Sequence, residues 1–77
     1  MQISFDKVAD ALYIRLSREK VHDTMEVCPD VIVDYNEAGD VIGIEVLDFS
    51  RRGINLNELI TLNADEIVPA VVRCPVQ

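Results

Sequence analysis

The chain has 77 residues, 49% of them hydrophobic, and carries 14 Asp and Glu against 7 Lys and Arg for a formal net charge of −7. That length holds one domain, which buries only about 60–65% of the surface its unfolded chain exposes, so a homo-oligomer is an expectation. The acidic balance argues against a nucleic-acid surface or an anionic membrane, where clustered Lys and Arg neutralise phosphates, and no apolar run reaches the roughly 18 residues of a membrane span.

Met1-Gln2 leads into Ile-Ser-Phe without the charged-then-apolar pattern of a secretory signal, and a cytoplasmic protein is expected. Gln2 to Phe5 alternates polar and apolar and reads as a first strand. Asp6-Lys7 breaks the alternation in a turn, and Val8 to Ala11 fits either that turn or a helix. Ala11 to Ser17 has the cleanest period of two in the chain, with Leu12, Ile14 and Leu16 on the side to be buried and Tyr13, Arg15 and Ser17 opposite. After the charged link Arg18-Glu19-Lys20, His22 to Cys28 alternates again, placing Met25 and Val27 inward. Pro29-Asp30 then supplies a turn, because proline fixes φ and removes a ladder donor.

Val31 to Tyr35 and Val41 to Leu47 are dense in β-branched residues and form two strands of a hairpin. Between them, Asn36 can bond back to the following backbone, and Gly39 accepts positive φ. A type I turn with a bulge at Gly39 pairs Asn36 with Asp40, and hence Ile32 with Ile44. A four-residue loop shifts the pairing by one and puts Val31, Val33, Tyr35, Ile42, Ile44 and Val46 on one face. The residues leave both registers open. Gly43 interrupts its strand, as a bulge, as a gap filled by a neighbouring aromatic, or as a place of close approach.

Beyond Phe49 the pattern becomes helical, with Leu56, Leu59 and Ile60 at helical spacing and Asn63 to Glu66 resembling a capping box. Pro69 is expected to stop the helix. The predicted architecture is α+β and mainly β: residues 1–48 form an antiparallel meander of about five strands, and residues 49–77 form one short helical element and a tail packed on the sheet or on a partner. Two cysteines, Cys28 and Cys74, are too few for a disulfide framework, and free thiols are expected.

No set of residues assembles a chemistry. The single histidine, His22, with Cys28 and Cys74 falls short of a structural zinc set, and the three glycines are too scattered for a phosphate loop. No catalytic, cofactor or metal residue is assigned. Between Lys20 and Arg51, however, stand eight acids and no Lys or Arg. This asymmetry fits a solvated face or a landing site for a basic protein partner, with Asp34, Asp40, Glu45 and Asp48 as the candidates. Tyr13, Ile32, Val41 and Leu47 are candidates for packing against the tail or a second copy. A metal-dependent hydrolase or small-molecule binder built on Asp34 and Glu45 at a dimer interface is the enzymatic alternative, and a purely structural homodimer is the third.

The segments Ala9-Asp10-Ala11-Leu12-Tyr13-Ile14-Arg15-Leu16, Val31 to Tyr35, and Gly39 with Val41 to Leu47 resemble, in that order, a family of small prokaryotic proteins known as domain-of-unknown-function family 2283. The resemblance covers about residues 1 to 50. It implies a compact β-rich domain without an assigned activity and, through members encoded beside small basic toxins, an antitoxin-like binder. It carries over no catalytic residue.

Overall fold

The strand best able to lie between two others is the one whose residues can be buried on both faces, and here that strand is VIGIEV. In the computed structural model, which describes residues 1–74, the strands are β1 (Gln2–Asp6), β2 (Ala11–Arg15), β3 (Asp23–Cys28), β4 (Val31–Tyr35) and β5 (Val41–Val46). They form one antiparallel sheet in the order β1-β2-β5-β4-β3. The five expected strands are present in a mainly β domain, but their order is not that of a strict meander. Apolar β5, with Ile42, Gly43, Ile44 and Val46 all buried, lies in the middle, while polar DTMEVC takes an edge.

This order obliges residues 16–22 to run across the ends of β5 and β4. Leu16 N and Ser17 N both donate to Ile42 O, and His22 N donates to Tyr35 O. Arg15 holds the loop from one side, donating from Nε to Ser17 O and from Nη2 to Glu19 O. Buried Asn36 holds it from the other, with Nδ2 donating to Glu19 Oε2 while its Oδ1 accepts from Asp40 N at 2.8 Å. The turn that Asn36 starts is therefore also the anchor of a distant loop.

Both candidate hairpin registers occur, one on each side of a bulge. Next to the turn Asn36 N donates to Asp40 O and Tyr35 lies opposite Val41. Ile42 is then the extra residue, and beyond it Asp34 faces Gly43, Val33 faces Ile44 and Val31 faces Val46. The shift brings Val31, Val33, Ile44 and Val46 into one core with Leu12 and Ile14. Ile42 is buried outside that cluster. Met25, expected inward, is 53% exposed because β3 is an edge strand, whereas Val27 packs against the core.

Three aspartates sit at one end of the sheet in the left-handed region: Asp10 (φ 52), Asp30 (φ 68) and Asp48 (φ 54). Short polar side chains tolerate that conformation better than β-branched ones. Residues 7–10 form a turn rather than a helix, with Val8 N and Ala9 N donating to Asp6 Oδ1. The Asp10 carboxylate then accepts from Ser50 N and Ser50 Oγ (2.7 Å), and its backbone carbonyl accepts from Phe49 N. These bonds turn the chain after β5 into a 3-10 turn at Phe49–Arg51 and start it back over the sheet.

Two α-helices follow where one helical element was expected: α1 (Leu56–Leu59) and α2 (Ala64–Val71). Asn55 Oδ1 accepts from Asn57 N at the start of α1. At α2, Glu66 Oε1 accepts from Asn63 N at 2.9 Å, the reach-back half of the expected capping box. Pro69 does not stop α2. It removes one donor in a helix only eight residues long, and the helix continues because Ile67 and Val71, four apart, are both fully buried on the core with Leu59.

The expectation of free thiols is also overturned. Cys28 and Cys74 form a disulfide, with Cα atoms 5.5 Å apart and 46 residues of separation. The alternating pattern placed Cys28 correctly at the end of its strand, but nothing local indicates that the chain after α2 returns there. The last three residues of the predicted tail lie outside the described ones. Closing a loop of this length is worth about 2–4 kcal/mol. Cys74→Ser, or reduction of the native chain, should lower unfolding stability by that amount in denaturant titrations. An unchanged midpoint would mean that the bond constrains nothing.

Candidate functional site

Side chains alternate across a strand, so a sheet with helices on one face presents every second residue on the other. The helices cover Leu12, Ile14, Val31, Val33, Ile44 and Val46. The opposite face is built from two rows that follow the strand pairing. One row is Ser4, Tyr13, Glu45, Ile32 and Glu26, and the other is Gln2, Arg15, Gly43, Asp34 and Thr24. Among the described residues no helix lies over these rows.

The centre of this open face is organised by a missing side chain. A Cβ on Gly43 would run into the Tyr13 hydroxyl and would sit 3.0 Å from Asp34 Oδ2. Glycine therefore lets the Tyr13 ring end cross the intervening strand and donate from Oη to Asp34 Oδ2 at 2.8 Å. The other carboxylate oxygen, Asp34 Oδ1, accepts from Thr24 Oγ1 at 2.8 Å. Four adjacent strands, β2, β5, β4 and β3, are thus tied across one face. Of the readings of Gly43, the gap filled by an aromatic is realised, and the bulge falls on its neighbour Ile42.

Burial and then the hydrogen bond to the Asp34 carboxylate and its negative charge raise the Tyr13 phenol above its ordinary 10.0, against a smaller opposing pull from the Arg15 guanidinium. Tyr13 consequently remains a donor through neutral and mildly alkaline pH.

The four predicted partner-binding acids do not share one patch. Asp34 and Glu45 are on the open face, on diagonal positions of β4 and β5. Asp40 is in the turn before β5, where its Oδ2 accepts from Asn36 Nδ2. Asp48 lies past the other end of β5, about 25 Å along the strand direction, and pairs with Arg51 at 3.8 Å. Of the packing candidates, Tyr13 and Ile32 are on the open face, Val41 packs against the helix-covered core, and Leu47 is half-buried just past β5 with its N–H donated to Asp30 O. Thr24, Arg15 and Glu26, which sequence reasoning did not single out, complete the open face. Only the placement of β5 between β2 and β4 brings Tyr13 within reach of Asp34.

Among the described residues, no group of three or more His, Cys, Asp and Glu side chains converges as a metal-ligand set. Both oxygens of Asp34 accept hydrogen bonds from hydroxyl donors, Oδ2 from Tyr13 and Oδ1 from Thr24. The cleft beside Met1, Gln2, Arg15 and Leu16 holds about 140 Å³, and the one beside Arg52, Asn55 and Leu62 about 120 Å³. A wider one of about 380 Å³ at Glu19, Lys20, Asn36 and Glu37 lies open to solvent. The first two are smaller than the roughly 300–1,000 Å³ of ordinary ligand pockets. A broad polar sheet face is the more developed surface.

Gly43→Ala should cost about 1–3 kcal/mol, as overpacking does, and should displace the Tyr13 ring. Denaturant unfolding measures the cost, and the Tyr13–Asp34 contact can be followed by NMR. Because the folded-state pKa of Tyr13 is raised, its contribution is fully present below the unfolded phenol value and is lost as pH rises above about 10. Stability of the native chain should therefore fall in that window. Tyr13→Phe should start about 1.5–3 kcal/mol lower, the worth of a hydrogen bond to a charged group, and should show a shallower fall. Parallel slopes for the two proteins would remove Tyr13 from the titration.

No curated protein and no solved structure gives a significant match to this chain. A model of the family described as protein of unknown function (DUF2283) matches residues 2–50, from the first residue of β1 to the start of the 3-10 turn. The matched segment is the whole five-stranded sheet, with Tyr13, Gly43 and Asp34 inside it, and the chain belongs to the DUF2283 family.

Proposed function

We propose that this protein is a non-enzymatic interaction module that holds a basic protein partner against the open face of its sheet, in the manner of an antitoxin. The observation that carries this reading is the disposition of Glu26, Asp34 and Glu45 around Tyr13 and Ile32 on a face without helices, with the Asp34 carboxylate fixed by two hydroxyl donors. A carboxylate already oriented loses little freedom when a guanidinium or ammonium group arrives, and half-buried Tyr13 and Ile32 supply apolar contact between the charges. Asp40 and Asp48, at the two ends of β5, extend the negative field and speed the approach of a cationic partner.

A cytoplasmic site of action belongs to the same reading. In that compartment the thiol pool keeps cysteines reduced, and α2 would be held to the sheet by Ile67 and Val71. Neither Cys28 nor Cys74 is among the open-face residues, so this reading does not require the bond between them.

Among the described residues the Glu26 and Glu45 side chains accept no hydrogen bond, whereas Asp34 accepts two, which makes the glutamates better test positions than Asp34. The partner captured from the host should bind the native chain with an affinity that falls steeply as salt is raised. Glu26→Lys with Glu45→Lys should weaken that binding at least tenfold, read by isothermal titration calorimetry. Tight, salt-insensitive binding by the double variant would remove the open face from the interaction.

A further inference from the structure

The two outer strands of the sheet are unlike in how they are protected. An edge strand offers unpaired N–H and C=O groups to any other strand, and proteins blunt such edges with charge, proline, bulges or a covering segment. β3 has all four. It carries Asp23 and Glu26, its register shifts between Glu26 and Cys28, Pro29 follows it, and the Cys74 tail is bonded to Cys28 with its sulfur beside Val27 O. β1 has none of them along Gln2 to Phe5. Its pairing with β2 is regular from Gln2 to Asp6, it contains no Lys or Pro, and its one acid is the final residue, Asp6, which is engaged in the following turn. Among the described residues nothing pairs with its outer side.

We infer that β1 pairs antiparallel with β1 of a second copy about a two-fold axis at Ser4, joining two sheets into one of ten strands. The sequence QISFD is self-complementary in this register. Ser4 faces Ser4 of the second copy, Ile3 faces its Phe5, and Gln2 faces its Asp6. No like charges meet. A register shifted toward the C-terminal end of β1 would instead bring Asp6 closer to Asp6. Pairing β1 with β3 of another copy would be heterologous and would leave a free edge at every step, whereas the β1 pair closes on itself.

Apolar surface at the same edge supports a second copy as the occupant. Phe5 is 43% exposed and Met1 59% exposed, and Phe5 makes an edge-to-face contact with Phe49 at 5.4 Å. Ile3 and Phe5 project on the helix-covered side, where they pair with Ile14 and Leu12 of β2. With the axis at Ser4, Ile3 and Phe5 of each copy lie against Phe5 and Ile3 of the other. They continue the core across the junction and cover the side chains that one copy leaves wet. Both open faces then point the same way, which doubles the acidic surface without using any residue proposed to bind a partner.

Opposed residues of an antiparallel pair have Cα atoms about 4.5–5.5 Å apart, inside the disulfide range of about 4.4–6.8 Å. Ser4→Cys should therefore form a disulfide between copies under mild oxidation, in full yield at high protein concentration. Gln2→Cys should not, because residue 2 faces residue 6 and the two copies of residue 2 are about 13 Å apart along the strand. The native chain should sediment as a dimer at high concentration. Phe5→Lys should shift it to monomer while its circular dichroism stays native. A native chain that is monomeric at every concentration up to millimolar overturns the inference. So does a folded Phe5→Lys variant that stays dimeric, or equal cross-linking at positions 2 and 4. None of these results depends on whether a basic partner binds the open face.

Discussion

The constraint on which the rest of the structure depends is the insertion of β5 between β2 and β4. Ile44 and Val46 need burial on one side, Ile42 needs it at the bulge, and Gly43 needs a partner able to occupy the space above it. Only an interior position in the sheet supplies all of these. Once β5 is interior, β3 must go to the far edge, and residues 16–22 must cross two strand ends to reach it. Arg15 and Asn36 are placed to hold that crossing. The same insertion brings Tyr13 over Gly43 to Asp34, so the packing requirement of one strand also sets the chemistry of the open face.

Among the described residues, the chain after β5 returns over one face of the sheet. Asp10 captures Ser50, the left-handed Asp48 turns the backbone, and α1 and α2 deliver Leu59, Ile67 and Val71 to the core. Arg52 donates from Nη2 to Pro29 O at 2.6 Å and from Nη1 to Arg73 O, so the returning segment is fastened to the β3–β4 turn beside the disulfide. These fasteners lie at one end of the sheet or at its β3 edge.

A carboxylate that serves as structure is less available as chemistry. Asp34 looked like half of an acidic pair, but its oxygens accept from Tyr13 and Thr24, and burial, then the hydrogen bond to Asp34, raises the Tyr13 phenol above its ordinary value. What the arrangement does supply is a sheet surface on which Tyr13 and Ile32 are set among Glu26, Asp34 and Glu45.

What the sequence determined by itself was local. Alternation placed β1, β2 and β3, β-branched density placed β4 and β5, Gly39 and Asn36 located the hairpin turn, Leu56 and Leu59 announced a helix, and Asn63 with Glu66 marked the start of α2. Each of these rests on residues within a few positions of one another, where geometry follows from backbone sterics and short hydrogen bonds. Pro69 shows the limit of that reasoning, since the burial of Ile67 and Val71 outweighed a local helix breaker. Tertiary structure alone decided the strand order, the bulge that combines both hairpin registers, the Tyr13–Asp34 bond across 21 residues and the Cys28–Cys74 bond across 46. The reason is that the entropy of closing a loop changes slowly with its length. Chain distance hardly ranks one remote pairing above another, and the choice falls to which arrangement buries β5 on both sides.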